Sequence, residues 1–472
     1  MLNAALSRSG NFRVVAFVDP DHTGLNRRQA FQRQLRFFVR SLNSKDAEST
    51  FRAMGAKRMI YPHFSRTQRE MASHTAKVFF DSSPSKNDVE TLRIDGVLVG
   101  DLIYDDYLLK SGQGTVDPGS SEFREHMTES LKIFYFWKRF FERFRVTAVI
   151  GNSVYRQALV ARIGIAHGCD VFDAQLPRVV RLVGDGYQFE DTKYYSEHFS
   201  SLTNRAGRLQ EAHRALEKKK QGSADMSNAH FESPSGTRKS SRYLKPGSTP
   251  KILVTPHCFS DSAHAFGQMV FPDFQEWLSF LASVAKDSTD DWYIKLHPRG
   301  QQDQPVIAKI FSECENVSIL PPDASLDQLA EEGVSVALTM RGHVGFDFPL
   351  KGIPVISCTP GYRYRNYAFN IQVSNTEQYR AALEGFIDEG QHIDADEMAE
   401  FYYMDTLYYH PNLFFPDLVR TTRQAAHDAA GGILGQFAAT VEESFIEETL
   451  SQLEAFVRTR DLRFRRQQKI DT

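Results

Sequence analysis

KILVTPHCFSDSAHAFG at residues 251–267, DWYIKLHPRG at 291–300 and VSVALTMRGHVGFDFPLKGIPVIS at 334–357 decide the fold of this chain. Each contains a short apolar run rich in Val, Ile and Leu: Lys251–Thr255, Trp292–Leu296, Val334–Met340 and PVIS at 354–357. Between them lie stretches of helical character, FPDFQEWLSFLASVAK at 271–286 and PVIAKIFSEC at 305–314. Strand followed by helix, repeated, predicts a parallel sheet with crossover helices. Runs that are apolar throughout, rather than alternating, predict strands buried on both faces.

The same rhythm, less cleanly, occupies the first half. FRVVAFVD (Phe12–Asp19), MIYPHF (Met59–Phe64) and VTAVI (Val146–Ile150) read as strands. Residues 27–42 read as a basic helix, 121–145 as an aromatic and basic helix, and YRQALVARIGIAHG as the helix after VTAVI. VLVGDLIYDDYL, within residues 91–108, reads as a strand with a polar end. Residues 217–250, rich in Lys, Ser, Gly and Pro, read as a flexible insertion. The expected organisation is therefore a first lobe at 1–212, a linker at 213–249, a second lobe at 250–395 and a helical segment at 396–472. Two such lobes suggest an α/β protein with two Rossmann-like halves facing a cleft.

Composition narrows the class. Lys and Arg number 56 against 59 Asp and Glu, so no basic field points to a nucleic-acid partner. Mean hydropathy is −0.40, and no apolar run reaches membrane-spanning length. The opening MLNAALSRSGNFRVVAFVDP has no long apolar core, so no secretory signal is expected. Cys169, Cys258, Cys314 and Cys358 have no metal-binding or redox spacing and read as reduced thiols of a cytoplasmic protein.

In open α/β sheets the ligand sits beyond the carboxyl ends of the strands. There the first loop carries His257, Asp261 and His264, which could serve as general base, nucleophile or phosphate ligand. Lys295, His297 and Arg299 leave the next strand on one side of an extended chain, and cations so placed suit a phosphate. After Val334–Met340 come Arg341, Gly342 and Gly345. The glycines let the backbone approach a ligand, and the helix that follows aims its N–H groups at an anion. Asp347 is placed to accept from ribose hydroxyls. Asp19-Pro20-Asp21 has the spacing of a divalent-ion pair, but its interior proline restricts it, and no metal or cofactor is expected. Asn152, Ser153 and Tyr155 mark the turn from strand to helix after Ile150, with Ser153 read as a cap.

Together, HCFSDSAHAFG, FPDFQEWL, DWYIKLHP and GHVGFDFPLKGIPVI resemble bacterial surface-polysaccharide glycosyltransferases of the GT-B type, from capsule and O-antigen clusters. The likeness is to the capsule Kdo-transferase and sialyltransferase-like group, whose HP motif contacts the donor nucleotide. It spans most of residues 91–415. It implies a nucleotide-sugar donor, CMP-linked in part of that group, bound by Lys295, His297, Arg299, Arg341, Gly342, His343, Gly345 and Asp347. Where the group usually has Gly-Thr-x-Gly-x-Glu, this chain has His343 in place of Thr and Asp347 in place of Glu. The segment around IDGVLVGDLIYDDYL resembles the group's acceptor domain, which implies a glycan or lipid-linked glycan held by Asp101, Asp105 and Tyr155. From its place on the strand-end loop, Asp261 is the expected base or nucleophile, with His257 or His264 assisting. A peripheral contact with the inner face of the membrane is the second role open to the aromatic helix at 121–145. A sugar-nucleotide epimerase and a non-catalytic assembly protein remain the alternatives on this fold.

Overall fold

The computed structural model describes residues 2–9, 14–17, 56, 58–60, 62–175, 178–220, 238–358, 363–389, 393–409 and 443–465. The helix expected at 27–42 and the Asp19-Pro20-Asp21 pair lie outside these residues.

The second lobe is a six-stranded, all-parallel sheet. Its strands are β8 (Lys251–Val254), β9 (Asp291–Lys295), β10 (Val317–Leu320), β11 (Val336–Thr339), β12 (Val355–Ser357) and β13 (Ile371–Gln372). They lie in the order β10-β9-β8-β11-β12-β13, which counted within the lobe is 3-2-1-4-5-6. That is the doubly wound order of nucleotide-binding sheets. β8, β11 and β12 are buried at every position, as their unbroken apolar runs demand. Helices α9 (Phe274–Lys286), α10 (Gln304–Ile310), α11 (Leu326–Glu331) and α12 (Val344–Asp347) lie in the connections between strands, and α13 (Thr376–Glu389) follows the last strand. Asp273 caps α9 by accepting from the Glu276 N–H at 2.8 Å. Trp277, Leu278 and Leu281 on that helix are wholly buried.

The first lobe is also α/β. β1 (Val15–Phe17) pairs in parallel with β2 (Arg58–Ile60). β5 (Ala148–Gly151) pairs in parallel with β6 (Asp170–Gln175), which pairs antiparallel with β7 (Arg178–Leu182). Helix α5 (Ser121–Arg143) packs on α2 (Arg66–Asp81) and on α6 (Leu159–Ala166). Two shorter helices are α3 (Lys86–Glu90) and α7 (Tyr195–Ser201). Phe123, Met127, Leu131, Phe134 and Phe141 recur on one face of α5 and are buried. Its cations are partly paired within the lobe: Lys132 with Glu129 and Lys138 with Asp95. Among the described residues no helix is long and apolar enough to cross a membrane.

The class and the two-lobe arrangement agree with the sequence, but three local readings differ. VLVGDLIYDDYL is not a strand with a polar end. β4 (Val97–Leu98) closes a hairpin with β3 (Arg93–Ile94), and Gly100–Ser111 is helix α4. Residues 100–108 are buried all round, so neither a helical nor a strand period shows in their hydrophobicity. The polar stretch beginning at Glu217 starts inside helix α8 (Arg205–Lys220), where Lys, Glu and Ala are good helix formers and Ala212 and Leu216 supply the buried contacts. From residue 238 onward the chain is docked on the second lobe. Glu332 Oε2 accepts from the Tyr243 and Leu244 N–H groups at 2.8 and 2.7 Å, and Leu244 is buried. Finally, the helix after Gly345 is only Val344–Asp347, followed by a 3₁₀ turn at Pro349–Lys351. Pro349 has no N–H to continue it.

Further segments tie the lobes together. Helix α14 (Ala395–Tyr402), continued by a π-helical turn at Tyr403–Tyr408, packs on α8. Helix α15 (Glu443–Arg458) packs on α1 (Leu2–Ser9). After α15 the chain pairs with β7 through a bridge between Arg463 and Val180. Arg463 then reaches Asp405 at 3.0 Å and Asp191 at 3.5 Å.

Candidate functional site

The order of the second sheet places its switch point between β8 and β11. From β8 the chain crosses to one side, and from β11 to the other. The last contacts between the two strands are the Thr255 N–H and hydroxyl, which both donate to the Leu338 carbonyl at 2.9 and 3.0 Å. Beyond that point the loops part and leave an opening at the carboxyl end of the sheet. The β8 loop brings His257 and Asp261 to its rim, and the β11 loop brings Arg341.

These three side chains form one unit. Arg341 Nη2 lies 3.2 Å from Asp261 Oδ2, and His257 Nδ1 lies 3.6 Å from the same oxygen. The His257 ring stacks on Phe274 at 4.9 Å, and the Arg341 guanidinium lies over Phe266 at 5.0 Å. Burial disfavours the Asp261 charge. Arg341 and the His257 hydrogen bond outweigh it and hold the carboxyl below its usual range. Burial first, with Arg341 beside it, lowers His257, so the ring is neutral near pH 7. Gly342 closes the turn by donating its N–H to Thr339 Oγ1 at 3.0 Å. A β-carbon at 342 would meet that buried hydroxyl oxygen at 2.8 Å and His257 Nε2 at 3.5 Å. Gly342→Ala is therefore expected to shift the β11 loop, costing about 1–3 kcal/mol by overpacking and weakening ligand binding several-fold. Unfolding with and without ligand reads both, and a variant that matches the parent would show the turn has slack.

A cavity of about 490 Å³ opens in front of this unit, between the lobes. Its second-lobe wall includes Asp261 and Arg341. Its first-lobe wall includes Asn152, Tyr155, Asp173 and Gln188. Tyr155 has φ +58° and ψ −178°, a region that costs a side-chain-bearing residue about 1–3 kcal/mol. Its hydroxyl crosses the cleft to donate to the Ser260 carbonyl at 3.2 Å. Burial, with Asp261 nearby, pushes that phenol up to about 12, so it stays a donor. The Gln188 N–H also crosses, donating to the Ala265 carbonyl at 2.9 Å.

Solved structures of sugar-handling enzymes are similar to the chain. A beta Kdo 2,4 transferase, the KpsC of Thermosulfurimonas dismutans, is 12% identical over 54% of this chain and 78% of its own, with a TM-score of 0.35. A UDP-GlcNAc 2-epimerase from Neisseria meningitidis bound to UDP-GlcNAc is 12% identical over 58% and 79%, with a TM-score of 0.27. A glycosyltransferase from Rickettsia africae is 9% identical over 93% and 94%, with a TM-score of 0.28. No family model matches the chain, and neither does any curated protein.

Of the residues the sequence singles out, Asp261, Arg341 and Tyr155 line the cavity and His257 stands directly behind. His297 lies two residues beyond β9, close by. Its Nδ1 accepts the Arg299 N–H at 3.1 Å and lies 3.1 Å from Cys258 Sγ. The ring proton is therefore on Nε2, and burial, with His257 and Arg299 nearby, lowers the group to about 4. Lys295 turns aside to donate to the Pro322 carbonyl at 2.9 Å, and burial lowers its ammonium to about 8. His343 accepts from Arg363 at 3.4 Å, and Asp347 lies 3.8 Å from Lys219. Gly345 sits in the four-residue helix, too short to focus an anion site of its own.

Besides Lys295, three residues depart from their expected places. His264 is 2% exposed and buried between Asp105, 2.7 Å from Nδ1, and Glu90, 2.8 Å from Nε2. It joins the lobes rather than facing the cavity. Asp105 is spent on that contact, and its second oxygen accepts the His264 N–H at 3.0 Å. Asp101 is fully buried against the Arg162 guanidinium. On α4 these carboxylates turn inward, whereas the acceptor reading has them hold sugar hydroxyls. Asp173 and Gln188 are the cavity residues the sequence reading overlooked. The strand-end rule applied to DVFDAQ at 170–175 would have found Asp173. Among the described residues no three His, Cys, Asp or Glu side chains gather to hold a metal.

Proposed function

We propose that this chain is a glycosyltransferase that moves a sugar from a nucleotide-sugar donor to a growing surface polysaccharide. The observation that carries the reading is the Arg341–Asp261–His257 unit at the switch point of a doubly wound sheet, facing a separate polar wall across the cleft. In this reading the donor lies on the second lobe. Arg341, Arg299 and the Nε2–H of neutral His297 face its phosphates, and they offset the charge that grows on the leaving group. The acceptor lies against Asn152, Tyr155, Asp173 and Gln188. A second wall suits transfer to another molecule, which an epimerase does not need. The resemblance of the strand-end motifs to capsule and O-antigen enzymes supports the acceptor class.

The test is thermal unfolding with CMP, UDP, GDP and TDP. Binding at one hundred times the dissociation constant stabilises by about 2.7 kcal/mol. One nucleotide is expected to raise the melting temperature of the parent, and His297→Ala to weaken that ligand about tenfold. No shift with any nucleotide would sink the reading.

A further inference from the structure

Resting on that transferase reading, we infer that Gln188 selects the acceptor, its amide oxygen reading a hydroxyl of the acceptor sugar other than the one that reacts. Four polar side chains of the first lobe line the cavity. Three are committed within the protein. Asn152 Oδ1 accepts the Ser153 and Val154 N–H groups at 2.7 and 3.2 Å. The Tyr155 hydroxyl gives its proton to the Ser260 carbonyl. Asp173 is 4% exposed, and its Oδ2 receives the Ser153 hydroxyl. Gln188 is half-buried, and its side chain is tied at one end only. Nε2 donates to Ser153 Oγ at 3.0 Å, while Oε1 accepts no hydrogen bond among the described residues.

The direction of that tie is forced. A carboxylate has no proton to give, so Ser153 spends its single proton on Asp173 and can only accept from Gln188. Turning the amide over would set two oxygens against each other with no proton between them. Nε2 therefore stays on Ser153, and Oε1 is left for a ligand. The backbone is pinned as well. The Gln188 N–H donates to the Ala265 carbonyl at 2.9 Å. The next residue, Phe189 at φ +60°, lies under the Arg178 and Arg363 guanidinium groups at 3.9 and 4.8 Å. An amide oxygen of fixed orientation thus stands on the wall that the reading gives to the acceptor. It accepts hydrogen bonds but is too weakly basic to take a proton, so it chooses the sugar and leaves the chemistry to other groups. A polar group set to meet a hydroxyl penalises the analogue that lacks it, because the group is then left unpaired.

The experiment uses the full chain, with CMP-, UDP-, GDP- and TDP-sugars as donors and p-nitrophenyl glycosides as acceptors. The glycoside that is used is then compared with its monodeoxy analogues. The linkage of the product identifies the reacting hydroxyl, and the analogue lacking that one is set aside. The parent is expected to reject one other analogue by about 10–100-fold in kcat/KM. Gln188→Met, which keeps the length of the side chain and removes the amide, should lower kcat/KM for the full glycoside by that same factor. It should leave the rejected analogue within about threefold of its value with the parent, and nucleotide affinity within about twofold. Ser153→Ala frees the amide to turn over and should erode the same discrimination several-fold. It carries the test should Gln188→Met fold poorly. A Gln188→Met variant that slows the full and deoxy glycosides equally, or matches the parent on both, would overturn the inference while leaving the transferase intact. So would a parent that accepts every remaining analogue as well as the full glycoside. A parent that binds nucleotide yet moves no sugar would remove the transferase reading itself and the selection with it.

Discussion

Replacing His264 by glutamine is expected to destabilise the protein by about 3–5 kcal/mol, the range for breaking one side of a buried ion pair. Both ring nitrogens and the backbone N–H of His264 contact carboxylates of the first lobe. A glutamine cannot satisfy both Asp105 and Glu90, so a carboxylate is left buried without its partner. Burial alone would drive the proton off His264. Asp105 and Glu90 outweigh it, and the group is pushed up to about 10. The folded-state value thus stands above the unfolded one, near 6.5. The stability it contributes is fully present below about pH 6.5 and is lost as pH rises through about 10. Urea midpoints of parent and variant should converge as pH climbs through that window. A variant as stable as the parent at pH 6 would show that the contact holds nothing.

Arg341→Ala is expected to cut turnover of the nucleotide sugar, as kcat/KM, by about 10²–10³-fold, the scale of losing one preorganised donor to developing charge. Arg341 is 9% exposed, its guanidinium sandwiched over Phe266 and Phe274 and aimed at Asp261. On the proposed reading its removal deletes the cation facing the leaving phosphate, and it also releases Asp261 from its strongest stabilising charge. Arg341→Lys should recover little, because an ammonium has neither the planar fork nor the stacking surface that the two rings use. Steady-state kinetics on both variants decide the matter, and losses under threefold would move the donor elsewhere.

The second lobe was legible in the sequence because its strands are short, rich in Val, Ile and Leu, and separated by stretches of helical character. Those features survive without knowledge of packing. The loops beyond them were legible for the same reason, which brought His257, Asp261 and Arg341 into view. What the sequence concealed was direction. His264 lies three residues from Asp261, yet the loop turns it into the interface, where Glu90 and Asp105 meet it. Asp101 and Asp105 look like a polar edge until the segment is known to be a helix buried all round. Asp173 sits in a strand with no other sign of chemistry, and it lines the cavity tied to Ser153 and, through it, Gln188, which come from elsewhere in the chain.

The bridge from Arg463 to β7 delays the completion of the first lobe during synthesis. Arg181 donates to the Asp461 carbonyl across 280 residues of chain, and Phe464 packs beside Phe456 on the sheet of the first lobe. On the ribosome, the second lobe has all its strands by Gln372, while the first lobe still lacks its closing edge. The domain begun first is thus completed last, after its neighbour has had time to form. The emergence of Arg463, rather than of residue 212, then marks the moment at which β7 gains its last partner.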